Sequence, residues 1–200
     1  MGKGENTRDV ILDHAMRLAS EVGLAGLSIG RLAKDLGMSK SGLFAHFQSK
    51  EMLQAQVLVR ASQLFIEIVV RPALAAPRGE PRLRALFERW LDWTRTAALP
   101  GGCLFVTAAV ELDDRPGPVR DRLVALQKEW LGVIARVAST GISEGHFADN
   151  LDPDQLAHDL YGVMLGYHHA ARLLRDPRAA ARARAGFETL LTATRARRSA

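Results

Sequence analysis

Apolar residues recur at spacings of three and four along almost the whole chain, and no segment alternates apolar and polar residues with a period of two. The first pattern places apolar side chains on one face of an α-helix, whereas the second is typical of a half-buried strand. Ala, Leu and Arg, which all favour helices, dominate the composition. The sequence therefore predicts an all-α protein.

Capping residues, glycines and prolines divide the helical pattern into nine predicted helices. The residues expected to cap the first four are Thr7, Ser28, Ser39 and Ser49. The fourth helix is long and is predicted to run until Pro72, where a loop to Pro81 follows. The other helices are predicted at about 82–98, 102–112 and 118–140, and after Asp152-Pro153 and Asp176-Pro177, where proline takes the first helical position.

Composition and charge restrict the class of protein without fixing its function. No apolar run approaches the roughly 18 residues of a membrane span, and residues 1–6 lack the apolar core of a signal peptide. The single cysteine, Cys103, excludes an internal disulfide, so we expect a cytoplasmic protein with no membrane partner. The net charge of +5 permits an anionic partner. Most of the basic excess lies after Ala171, however, so charge alone does not indicate nucleic-acid binding.

Residues 28–47 carry the pattern of two short helices joined by a tight turn. Ala33 is small where the two backbones must approach, and Gly37, four positions later, tolerates the positive φ of the turn. The positions expected to be buried are Leu32, Leu36, Met38 and Leu43. The second helix presents residues 39–46 outward and is short enough to lie in a DNA major groove. This segment predicts a helix-turn-helix.

The run Ala33-x-x-x-Gly37-Met38-Ser39-Lys40-x-x-Leu43-Phe44-x-His46-Phe47-x-Ser49-Lys50-Glu51-x-Leu53 closely resembles the N-terminal domain of the TetR (tetracycline repressor-like) family. The resemblance implies a three-helix DNA-binding domain, residues 1–50, joined by a long helix to a helical bundle for ligand binding and dimerisation, residues 51–200. It implies a ligand-responsive repressor that binds a palindromic operator in double-stranded DNA as a homodimer. We expect no catalytic activity, cofactor or metal.

Carried over by position, the resemblance implies a DNA-contacting set: Ser28, Arg31, Ser39, Lys40, Ser41, Gly42, Phe44, His46 and Lys50. Lys40 and Ser41 would enter the groove first, whereas Lys50 resembles the family's phosphate-binding lysine. Phe44 replaces the usual tyrosine and so lacks its hydroxyl, and Ala45 replaces a larger polar side chain. Because few direct base readers remain, we expect specificity to rest partly on DNA shape.

Large apolar side chains in the C-terminal half are candidates for a pocket that binds a small hydrophobic effector. The proposed ligand-binding residues are Trp90, Trp93, Trp130, Met164 and Tyr167. For each of these residues an ordinary core position is the favoured alternative. Gly162, Gly166 and Ala170 form a row of small residues that permits another helix to approach closely, or leaves room for a ligand.

Other functional classes find less support in the sequence. It contains no glycine-rich phosphate loop, HExxH motif or nucleophile elbow. His158, His168 and His169 do not share one helix face and make a poor zinc set. Two alternatives stay open: a transcriptional activator, and a ligand-binding helical protein whose helix-turn-helix no longer binds DNA. Salt-dependent binding to any duplex distinguishes the second from a regulator.

Overall fold

The computed structural model describes the backbone of residues 3–196 and the side chains from Thr7 onward. Within that range the regular structure is helical, which confirms the predicted fold class. The helices are α1 Lys3–Val22, α2 Ile29–Asp35, α3 Lys40–Phe47, α4 Lys50–Phe65, a π-helical turn Ile66–Val70, α5 Arg71–Leu74, α6 Glu80–Trp93, α7 Leu104–Leu112, α8 Pro118–Ser143, α9 Pro153–Arg172 and α10 Ala179–Thr194. Because α4, the π turn and α5 are continuous, the described residues hold nine helical segments, as predicted.

The described residues divide into two compact units. The first unit contains residues up to 64 together with 95–126, and the second contains 65–94 together with the described residues from 127 onward. Helices α4 and α8 each contribute residues to both. The sequence-based division at residue 50 separates DNA binding from ligand binding and dimerisation, and it stays a prediction. None of the described helices is long and apolar enough to cross a membrane.

The first unit is built on α1, whose apolar face packs onto the helix-turn-helix and α4. Ile11, Ala15 and Ala19 are completely buried. At the edge of this core, Arg60 of α4 forms a two-pronged ion pair with Asp13 of α1, with N–O distances of 2.6 and 3.1 Å. This geometry fixes the position of α4 along α1, because two parallel hydrogen bonds define an orientation as well as a contact.

Four predicted helix boundaries were wrong, and one of them is the end of the helix predicted at about 82–98, which is α6 and ends at Trp93. Helix α1 begins at Lys3, so Thr7 lies inside it and is not its cap; no proline precedes Thr7 to stop the helix. The fourth helix continues through Pro72 to Leu74. The wider π turn before Pro72 explains this, since it alters the hydrogen-bond register where proline lacks an N–H and would crowd a regular helix. Asp176 accepts a hydrogen bond from Arg178 N, but α10 begins only at Ala179.

The basic segment near the C-terminus is largely paired with acidic side chains in the second unit. Arg195 donates to Glu80 at 2.7 Å, and Arg184 donates to Glu88 at 2.7 Å. These ion pairs give part of the basic segment a structural role, so its positive charge does not by itself indicate a nucleic-acid site. Arg197 and Arg198, which belong to the same basic segment, lie outside the described residues.

Candidate DNA-binding surface

The turn between α2 and α3 is closed by backbone hydrogen bonds. Gly37 has a φ of +63°, and its N–H donates to Lys34 O, while Met38 N donates to Ala33 O at 2.8 Å. These two bonds form a Schellman motif, which ends a helix and requires a residue that tolerates positive φ. The prediction that Gly37 closes α2 is confirmed.

Serine caps fix the start of each helix in this region. Ser28 Oγ accepts from Arg31 N, and Ser39 Oγ accepts from Gly42 N at 3.0 Å. Ser49 Oγ accepts from Met52 N in the first turn of α4. Each cap satisfies an N–H that has no partner within its helix. All three predicted serine caps are confirmed.

The outward face of α3 carries most of the predicted contact residues, and the others lie at the starts of α2 and α4. Within the helix-turn-helix, Leu32, Ala33, Leu43 and Phe47 are buried, whereas Leu36 and Met38 are only partly buried. The exposed members of the predicted set are Ser28, Arg31, Ser39, Lys40, Ser41, Phe44 and Lys50, while Gly42 and His46 are half-buried. Phe44 is 45% exposed. An exposed ring at this position offers an apolar contact to a thymine methyl group, in place of a tyrosine hydroxyl.

The first turns of α2 and α3 are adjacent at Gly30. A Cβ added to Gly30 would lie 3.3 Å from Lys40 Cε and 3.8 Å from its Nζ. Gly30 thus leaves space for the Lys40 side chain. Arg31 is weakly paired with Asp35 at 3.8 Å, beyond hydrogen-bond distance, so its guanidinium keeps donors for another acceptor.

Lys50 makes a contact within the protein that the sequence did not predict. Its ammonium donates to Ala25 O at 2.7 Å. The N–H of Ala25 in turn donates to Glu111 Oε2 at 2.9 Å. Two charged side chains therefore hold the loop between α1 and α2, and a cleft of about 420 Å³ opens beside Lys50 and the 112–120 segment. No local sequence signal linked Glu111 to Ala25, because the two residues are 86 positions apart.

The five candidate ligand-binding residues are buried in the second unit, where the ring contacts fall into two sets. Phe65 meets Trp93 and Trp130 edge to face, with centroid distances of 5.3 and 5.0 Å. Trp90 meets Tyr167 separately at 6.3 Å. Phe65, which links two of the candidates, was absent from the predicted set.

Among the described side chains of the second unit, two buried polar atoms have no hydrogen-bond partner: Trp130 Nε1 and His168 Nε2. Burial, followed by the charges of Arg172 and His169, lowers the pKa of His168 below its usual value, so the imidazole is neutral near pH 7. By contrast, the Tyr161 hydroxyl donates to Gln127 Oε1 at 3.1 Å. Among the described residues, no group of three or more His, Cys, Asp or Glu side chains is arranged to hold a metal ion.

Comparison with known proteins extends the resemblance beyond the helix-turn-helix. Residues 11–57 match the family model for bacterial regulatory proteins of the tetR family. Residues 79–187, a little over half of the chain, match the tetracyclin repressor-like C-terminal domain. The chain belongs to the TetR family of transcriptional regulators.

Individual TetR-family relatives support the assignment to different extents. The HTH-type transcriptional regulator AcrR of Shigella flexneri is 34% identical over 55 residues, which cover 28% of this chain and 26% of that protein. The match therefore spans about a quarter of the curated relative. A TetR transcriptional regulator from Chloroflexus aurantiacus is 28% identical, with 96% of each chain covered and a TM-score of 0.83. AibR, solved with isovaleryl coenzyme A and operator DNA, is 25% identical, with 80% of this chain and 85% of AibR covered and a TM-score of 0.66.

Proposed function

We propose that this TetR-family protein is a ligand-responsive repressor that binds a near-palindromic operator as a homodimer. The observation that carries the DNA-binding part is the exposed, capped face of α3. Lys40 and Ser41 reach toward base edges, Arg31 and Lys50 contact phosphates, and Phe44 packs against a thymine methyl group or a sugar. AibR, a structural relative, was solved with operator DNA, which supports this use of the shared fold.

Helix α9 supports the dimer. Gly162 and Gly166 are exposed, and a Cβ built on either would meet nothing within 4 Å. Leu165, Leu173 and Leu174 are also exposed in the same region. A stripe of glycines flanked by exposed leucines allows two helices to pack closely, so α9 pairs with its copy about a two-fold axis. Two-fold symmetry then requires half-sites one or more helical turns apart on the DNA.

Gly166→Arg tests the dimer without disturbing the core of one protomer, since the added side chain has open space. We expect sedimentation to show a monomer for Gly166→Arg, accompanied by loss of operator binding. Ala125→Arg, at an exposed position of α8, serves as the control and should remain a dimer. A dimer that persists in Gly166→Arg at micromolar concentration would place the interface elsewhere.

The effector site lies among the aromatic rings at the end of α4. Lys50 is the first residue of α4 and Phe65 is its last, about 22 Å apart along the axis. One helix therefore extends from a predicted DNA contact to the ring that meets Trp93 and Trp130. An effector that shifts this helix changes the spacing of the two recognition helices, and a preference of a few kcal/mol for one arrangement suffices to release DNA. AibR was solved with a coenzyme A thioester, which supports ligand sensing on this fold.

The experiment that tests the function is selection of bound duplexes from a random library, followed by fluorescence anisotropy with the selected operator. We expect a symmetric site, salt-dependent affinity, and release by a small apolar compound. Lys40→Ala should weaken cognate binding more than binding to random DNA. Absence of any salt-dependent duplex binding would favour the alternative that the helix-turn-helix has lost its DNA-binding role.

A further inference from the structure

The indole N–H of Trp130 is a buried donor without an acceptor. Trp130 is only 7% exposed, and its Nε1 has no partner in the part of the chain that the structure describes. Buried polar groups are nearly always hydrogen-bonded, and an unpaired one in a native protein calls for an explanation. The Trp130 ring meets the Phe65 ring edge to face. A phenyl ring has no oxygen that could accept a hydrogen bond from the indole N–H.

The backbone beside this donor is irregular at the same place. Directly after Phe65, α4 widens into the π turn Ile66–Val70, and Pro72 then removes one backbone donor. Single π turns within α-helices are often found at functional sites. The unpaired N–H and the π turn are independent features, and both lie next to the same aromatic ring.

We propose that the effector presents a neutral carbonyl oxygen to the Trp130 indole N–H while its apolar body packs against Phe65 and Trp93. This inference rests on the proposed ligand-sensing function. A ketone, ester or amide fits better than a carboxylate, because moving a charged group from water to a place among these rings costs far more than moving a neutral oxygen. The bound oxygen satisfies the donor that the unliganded protein leaves unpaired.

The unliganded protein provides the first test. Trp130→Phe keeps an aromatic ring and removes the donor, and Trp93→Phe makes the same change in the same cluster. Since Trp130 loses no hydrogen bond on substitution, we expect urea unfolding to show a smaller loss of stability for Trp130→Phe than for Trp93→Phe. A larger loss for Trp130→Phe would mean that the N–H already has a partner, which overturns the inference.

Acetophenone and ethylbenzene provide the second test, because they share a skeleton and differ in the carbonyl oxygen. Binding is measured by calorimetry on the full-length protein. In Trp130→Phe we expect acetophenone affinity to fall by about fivefold or more, the usual value of one hydrogen bond, while ethylbenzene affinity stays unchanged. Trp93→Phe should weaken both compounds alike. If Trp130→Phe affects both compounds equally, the carbonyl inference is wrong but the proposed ligand sensing stands. If the protein binds operator DNA but neither compound, the proposed sensing of apolar ligands is wrong as well.

Discussion

Lys50 is expected to act on DNA and on the protein's own loop at once, and the two effects can be separated. Its Nζ lies 2.7 Å from Ala25 O. A lysine ammonium has three N–H donors, so two remain for a phosphate oxygen. Lys50→Ala removes one anchor of the loop between α1 and α2, and we expect it to remove a phosphate contact as well.

The size of the phosphate effect follows from counterion release. Each neutralised phosphate contributes about 0.9 to the slope of log affinity against log salt. A homodimer presents two copies of Lys50, so Lys50→Ala should reduce the slope by about 1.8. Between about 50 and 200 mM salt, wild-type affinity should then fall about 12-fold more than that of the variant.

Fluorescence anisotropy with the selected operator, repeated across that salt range, measures the slope directly. Lys128→Ala replaces an exposed lysine of α8 and should leave the slope unchanged. Glu111→Gln loosens the same loop without removing a cation, because Glu111 holds Ala25 N–H. It should weaken binding at constant slope. If the slope of Lys50→Ala equals that of the wild type, Lys50 contacts no phosphate and acts only through Ala25.

Three further predictions concern stability. Gly101→Ala should lower the free energy of unfolding in urea by about 1–3 kcal/mol or more, because its Cβ would lie 1.5 Å from Ser20 O; unchanged stability would contradict the close approach. Burial lowers the pKa of His168, so the folded state resists protonation and its free energy of unfolding should fall as the pH drops below 6.5. Urea midpoints measured across this pH range should vary less in His168→Gln than in the wild type. Hydrogen bonding from Arg195 lowers the pKa of Glu80 to about 2. The ionised carboxylate therefore contributes to the free energy of unfolding above pH 4.5, and this contribution is lost as the pH falls toward 2. Acid unfolding that is identical in the wild type and in Glu80→Gln would refute this.

Local sequence signals predicted the helix-turn-helix well because its geometry is set by neighbouring residues. A serine cap bonds an N–H three positions away, and Gly37 is required by the conformation of a single residue. The same reasoning failed at Pro72, since proline shows where a regular helix is disfavoured and does not reveal a π turn that accommodates it. It failed at Thr7 because a good cap does not stop a helix from extending past it.

Contacts between side chains that are far apart in the chain could not be predicted from the sequence. An ordinary core and a pocket wall, the two roles considered for the tryptophans, both require burial, and the three tryptophans are buried. The helical stripes did not predict that Phe65 lies between Trp93 and Trp130, because that contact depends on how α4, α6 and α8 are arranged around it. The sequence alone does not decide whether Phe44 is exposed, since an aromatic residue on a short helix suits a core and a DNA surface equally.

The contacts of Ala25 suggest how the DNA-binding helices are kept in place. The Ala25 N–H donates to the Glu111 carboxylate, and the Ala25 carbonyl accepts from the Lys50 ammonium. The loop before α2 is therefore bonded to α7 through Glu111 and to α4 through Lys50. Ser28, the cap of α2, follows only three residues later. A small displacement of either helix must therefore move the start of α2 or break a charge-assisted hydrogen bond, which is stronger than a neutral one.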